Sequence, residues 1–227
     1  FLTLFKINFR KKDSSYFLAL IKIRKQENHE AKKFFLTALG GEQYNPEVLL
    51  EVAKIKANEK KYMEALKTID RAILTLKEKE NLKAKLSKSL SVENKFHDAR
   101  IKLEETHKLK KLRSDALVQK FLILKSMDKT QKALLLDAIK VFSGNYHAYF
   151  HLGKIELIEK NLDKSKDFFL KARNAHWSLP EIHYYLALIE IDLGNSKEAI
   201  LHLNDTLELN CTHAQSIKHL KKLMKSS

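Results

Sequence analysis

The two prolines of the chain, Pro46 and Pro180, stand 134 residues apart, two short of four times 34. Each opens the same kind of segment: EVLLEVAKIKANEKKYMEALKTIDRAI after Pro46 and EIHYYLALIEIDLGNSKEAILHLNDTL after Pro180. With Pro counted as position 1, both carry alanine at position 8 (Ala53, Ala187) and at position 20 (Ala65, Ala199). Both also carry a bulky residue at position 24 (Ile69, Leu203). One period before Pro46, positions 7, 8, 20, 24 and 27 hold Leu18, Ala19, Ala31, Phe35 and Ala38. One period after it, positions 7, 8, 17, 20, 24 and 27 hold Leu86, Ser87, Phe96, Ala99, Leu103 and Thr106. One period before Pro180 the same six positions hold Leu152, Gly153, Leu162, Ser165, Phe169 and Ala172. A recurrence of this length is the sequence signature of a repeat array, in which each unit buries its apolar face on its neighbours.

Composition narrows the repeat type. Only 5 Gly and 2 Pro occur in 227 residues, too few for the turns of a β-sandwich, a barrel or a doubly wound α/β fold. Hydrophobic residues make up 44% of the chain, enough for a core, which excludes low-complexity disorder. The apolar positions recur at helical spacing, and the fold class expected is all-α.

The segments VAKIKANEKKYMEALKTIDRA and LGKIELIEKNLDKSKDFFLKA resemble tetratricopeptide repeats. The resemblance implies a right-handed superhelical α-solenoid of antiparallel helix pairs with a 34-residue period. A small residue at position 8 of the first helix and at position 20 of the second lets the pair approach closely; another at 27 admits the next repeat. Short polar turns join the helices, at 58–60, 160–161 and 194–195. The frame places six repeats at 12–45, 46–79, 80–113, 114–145, 146–179 and 180–213. The fourth is two residues short. Residues 1–11 are expected to be the end of a preceding helix or an N-terminal flank, and 214–227 a C-terminal capping helix.

The same resemblance implies where a partner would bind. In this fold the first helix of each repeat lines a concave groove, and its groove positions carry over to Tyr16, Phe17 and Arg24, then Lys54, then Lys85 and Lys88. In the fifth repeat they fall on His147, Phe150, His151 and Lys154, and in the sixth on Tyr184, Tyr185 and Leu188. The capping helix adds Lys218, His219 and Lys222. Aromatic residues flanked by Lys and His suit an extended or helical peptide. The aromatic residues would serve inter-repeat packing equally well, and position alone leaves both roles open.

Charge describes the partner's character. Lys and Arg number 43 against 28 Asp and Glu, a net of +15. By repeat, from 1–45 onward, the nets are +5, +2, +5, +2, +2 and −5, with +4 in the last helix. Much of the lysine is therefore expected on solvated faces. The groove itself is expected to be moderately basic, which suits an acidic or amphipathic protein segment. Only 6 of the 43 basic residues are Arg, and the groove positions do not recur as a polar code, so an RNA-binding helical repeat is the less favoured class. A third reading is the recognition arm of a larger enzyme or envelope assembly factor.

No catalytic constellation is legible. The Ser and His residues suggest no nucleophile–base pair, and no glycine-rich phosphate loop occurs. His147 and His151 share a helical face but lack a third ligand, so neither metal nor cofactor is expected. The Asn and Lys/Arg pattern that clamps a C-terminal carboxylate is not met, since the corresponding positions hold Tyr16 and Leu20, then Glu51, then Asn81 and Lys85. A lone cysteine, Cys211, gives no disulfide framework; it favours a reducing compartment such as the cytoplasm, with a periplasmic or membrane-attached setting as the alternative. The absence of a long apolar run leaves no transmembrane segment in the sequence. The start at Phe1 without Met is read as that of a fragment or processed form, compatible with an upstream anchor. The terminal repeats would offer surfaces for self-association.

Overall fold

Asparagine side chains cap two of the described helix starts. Asn45 accepts the Glu47 N–H on its side chain at 3.0 Å with Pro46 in the first turn, and Asn145 accepts the Ala148 N–H at 3.1 Å. These contacts satisfy donors that a helix N-terminus leaves unpaired. The computed structural model describes residues 15, 18–19, 21–22, 27–39, 45–93 and 95–226. Among the described residues there is no strand, and the helices are α1 (Asn28–Leu39), α2 (Pro46–Asn58), α3 (Tyr62–Val92), α4 (Phe96–Lys125), α5 (Lys132–Val141), α6 (Tyr146–Ile158), α7 (Leu162–Ala175), α8 (Pro180–Asp192), α9 (Ser196–Leu209) and α10 (Ala214–Ser226).

The chain divides into two compact units, 1–134 and 135–227. In the first, Leu49, Leu50 and Ala53 of α2 pack with Ala65, Ile69, Ala72 and Leu76 of α3 and with Ala116 and Ile123 of α4. A neighbouring cluster joins Ala19, Ala31 and Phe35 to Val48, Val52 and Ile55. In the second, Phe169 and Ala172 of α7 are buried with Ile182, Leu186 and Ile189 of α8. The pairs α6/α7 and α8/α9 are antiparallel hairpins, and α10 packs on α9.

The tight turns follow one design. Lys60, Asp128, Lys160 and Gly194 all have positive φ, between 58° and 79°. They lie 68, 32 and 34 residues apart, so the left-handed residue recurs with the repeat and the interval between Asp128 and Lys160 is two short. At two of these turns an asparagine ties the loop to the first helix. Asn161 donates to Glu156 at 2.9 Å and Asn195 to Glu190 at 2.8 Å, with one period between the two pairs.

In the first unit the helices run further than the repeat frame. Helices α3 and α4 are 31 and 30 residues long and continue through 79/80 and 113/114, where the 34-residue frame sets repeat boundaries. The reason is local. The segments LKEKENLKAKL and HKLKKLRSDAL contain no Gly or Pro and are rich in good helix formers, whereas the boundaries that do turn carry Gly144–Asn145, Pro180 and Asn210. The two helices form one long hairpin, tied by Arg113–Glu80 at 2.8 Å, Lys120–Asp70 at 2.6 Å and Lys83–Glu105 at 2.7 Å. Near the tip of the hairpin, Ser87 donates to the Ala99 carbonyl at 2.9 Å. With no turn to bring another helix alongside, the residues at frame positions 7, 17 and 24 of this stretch stay uncovered. Leu86 is 41%, Phe96 66% and Leu103 60% exposed, although Leu152 and Phe169 at positions 7 and 24 of the 146–179 stretch are fully buried.

Candidate partner-binding surface

Helices α6, α8 and α10 present the same frame positions three times in the second unit. Phe150, Tyr184 and Lys218 form one row, His151, Tyr185 and His219 a second, and Lys154, Leu188 and Lys222 a third. The rows arise because each helix begins one period after the last, at Tyr146, Pro180 and Ala214.

Side chains from these rows touch. The Phe150 ring lies 5.6 Å from His151 and 5.6 Å from Tyr185, both edge-on. Tyr185 is 5.8 Å from Tyr184, which lies 6.1 Å from His219 and 4.8 Å from His213. The Lys154 ammonium sits 5.1 Å from the Tyr185 ring centroid and 5.6 Å from that of Phe150. Cation–π attraction of this kind orients the lysine over the rings while its charge stays available. Burial, and secondarily the neighbouring Tyr185, holds the Tyr184 hydroxyl above the usual phenol range, so it is a neutral donor at ordinary pH.

These aromatic residues serve packing and surface together. Tyr185 stacks face to face on the fully buried Phe169 at 5.2 Å, and Phe150 meets that same ring edge-on at 5.8 Å. Phe150, Tyr184, Tyr185 and Leu188 are all half-buried. Phe150 and Tyr185 pack against the buried cluster of α7 and α8, and the Lys154 ammonium lies over both rings.

The remaining residues of the sequence-derived set are dispersed. His147, exposed, stacks 3.9 Å from Tyr146. Lys218 and Lys222 are exposed on α10. Lys54 is exposed in the first unit and pairs with Glu51 at 2.6 Å on its own helix. Lys85 and Lys88 are exposed on the long helix α3. Tyr16, Phe17 and Arg24 lie outside the described residues.

Residues 146–172, helix α6 with most of α7, match the family profile described as tetratricopeptide repeat. Helices α6 and α7 form a tetratricopeptide repeat, and the chain has a helical-repeat fold of that type. Among solved structures of this fold, MamA (residues 41 to the end) from Desulfovibrio magneticus RS-1 aligns with a TM-score of 0.53 at 17% identity, covering 90% of this chain and 97% of that one. An assembly chaperone of RpL4 (Acl4) aligns with a TM-score of 0.58 at 10% identity, over 96% and 83%. A chain of the APC/C hetero-tetramer Cut9–Hcn1 aligns with a TM-score of 0.50 at 14% identity, over 94% of this chain and 43% of that one. At these identities the likeness is one of fold. No curated protein matches the sequence. Tetratricopeptide-repeat folds serve generally as protein–protein interaction scaffolds. Among the described residues, no helix is long and apolar enough to cross a membrane.

Sequence reasoning passed over one group in this unit. His183, His202 and Asp205 converge between α8 and α9 at frame positions 4, 23 and 26 of one helix pair. No short motif marks them, because 19 residues separate His183 from His202. Only the pairing of those two helices brings them together.

Proposed function

We propose that the chain is a non-catalytic adaptor that binds a protein partner along α6, α8 and α10 of its second unit. The observation that carries this reading is the half-exposed ladder Phe150–Tyr185–Tyr184–His219 with the Lys154 ammonium set over its rings. Rigid aromatic side chains provide contact area at small entropic cost, and a cation held beside them selects for a nearby carboxylate. Lys218 and Lys222 extend the basic margin. The partner segment is therefore an acidic or amphipathic peptide or helix.

The experiment is fluorescence anisotropy with a labelled acidic amphipathic helix, its charge-reversed analogue and a structured RNA. The acidic helix is expected to bind in preference to its analogue. A Lys154→Glu/Tyr184→Ala double change is expected to weaken it by about tenfold or more, an amount set by the loss of one desolvated contact of about 1.4 kcal/mol. Sequence-selective RNA binding that persists at about 200 mM salt would contradict the reading, since nonspecific lysine–phosphate binding fades steeply over that range.

A further inference from the structure

The His183 side chain is fully buried, yet one of its ring nitrogens has no hydrogen-bond partner. Its Nε2 lies 2.8 Å from the Trp177 carbonyl in the turn before α8. A carbonyl oxygen only accepts, so Nε2 carries the proton and donates. In the neutral ring Nδ1 then presents a lone pair, and it points toward the Asp205 carboxylate of α9 at 3.3 Å. The His202 Nδ1, also without a hydrogen-bond partner, lies 3.6 Å from the same Asp205 oxygen. One ligand atom from each of His183, His202 and Asp205 lies within 4.8 Å of the other two.

Three electron-pair donors facing one point repel one another unless something positive stands between them. From this geometry we infer a site for a divalent transition-metal ion of Zn2+ type, held by His183 Nδ1, His202 Nδ1 and Asp205 Oδ2. Bonds of about 2.0–2.2 Å in a tetrahedron place neighbouring ligands about 3.3 Å apart, close to the two separations found. The N,N,O donor set suits borderline ions such as Zn2+, Co2+ or Ni2+ and not Ca2+ or Mg2+, which take oxygen ligands. The bond from His183 Nε2–H to a backbone carbonyl is the outer contact that commonly fixes the tautomer of a ligating histidine.

Two further features bear on the site. Arg173, stacked over Trp177 at 5.7 Å, opposes a cation here, and the Asp205 carboxylate offsets part of that charge. Asp205 is 28% and His202 16% exposed at the side chain, which leaves a fourth coordination position for water from that edge. The ion would join α8 to α9 and, through Trp177, to the preceding turn. Its role is that of a staple in the last helix pair.

The test is titration of the tag-free full chain with Zn2+, followed by calorimetry, and with Co2+, followed by its visible absorption. One equivalent per chain is expected, with an intense tetrahedral Co2+ band. His202→Gln and Asp205→Asn, at half-exposed positions, are each expected to weaken Zn2+ binding by at least about 30-fold, while far-UV circular dichroism is unchanged. His147→Gln/His151→Gln, the other closely spaced histidine pair, is expected to leave binding as it is. Absence of a bound equivalent at micromolar Zn2+ would overturn the site and leave His183 and Asp205 as a proton-bridged pair. So would binding insensitive to His202→Gln, or lost in the His147/His151 variant.

Discussion

The Ser165 hydroxyl donates to the Gly153 carbonyl at 2.8 Å, clamping α7 onto α6 at a residue where a side chain has little room. A Cβ on Gly153 would meet three atoms of the Phe169 ring at 3.0 Å. That ring cannot slip aside freely, because Tyr185 stacks on its other face.

Gly153→Ala is therefore expected to destabilise the second unit although alanine is the better helix former. Overpacking costs about 1–3 kcal/mol and the propensity gain returns about 1, leaving a net loss of about 1 kcal/mol. The urea midpoint followed by Tyr185-sensitive near-UV dichroism measures it. A midpoint that rises would mean the helices can part without penalty.

The left-handed turns give an opposite sign. Lys160 holds φ near 60°, a conformation that costs a non-glycine residue about 1–2 kcal/mol, of which glycine's extra chain entropy takes back about 0.5–1. Lys160→Gly is expected to stabilise by about 0.5 kcal/mol, and Gly194→Ala, at φ 79°, to destabilise by about 1 kcal/mol. Melting temperatures of the two variants should move in opposite directions.

Equal frame positions should respond unequally in the two units. Leu203 at position 24 is fully buried, so Leu203→Ala is expected to cost about 2–4 kcal/mol. Leu103, also at position 24, is 60% exposed on the long hairpin, and Leu103→Ala is expected to change stability by less than about 0.5 kcal/mol. Comparable losses at both would mean that a further helix covers α4 in solution.

Acid should loosen the α7–α8 contact. Burial pushes the Glu190 carboxyl up, but the Lys166 ammonium at 2.7 Å and the Asn195 amide outweigh it, and the group lies below its ordinary range. A carboxyl depressed in the folded state contributes stability that is present above its unfolded pKa of about 4.3 and is lost as pH falls through the folded value. Melting curves between pH 6 and 3 should show wild type losing more stability than Lys166→Met, in which that partner is gone.

What the sequence made legible were residues under steric demand. Ala53, Ala65, Gly153, Ser165, Ala187 and Ala199 are small because two helix axes meet there, and all six are buried. The recurrence of those volumes exposed the helix pairs. The long hairpin was not legible from the pattern, since Leu86, Phe96 and Leu103 fit the repeat as well as their buried counterparts do. The deciding signal was an absence, the lack of Gly or Pro around 79/80 and 113/114. The aromatic ladder was half legible: its members were named, but only coordinates reveal that Tyr185 spends one face on Phe169. The His183, His202 and Asp205 group depends on which faces of α8 and α9 meet, which spacing along the chain does not encode.

Amide hydrogen exchange of the chain, with and without a bound partner segment, tests the adaptor reading most directly. Slowed exchange is expected in 147–154, 181–188 and 215–222, the stretches of α6, α8 and α10 that carry the ladder and its basic margin. Protection confined to the exposed apolar half of the α3/α4 hairpin, around 82–103, would contradict it.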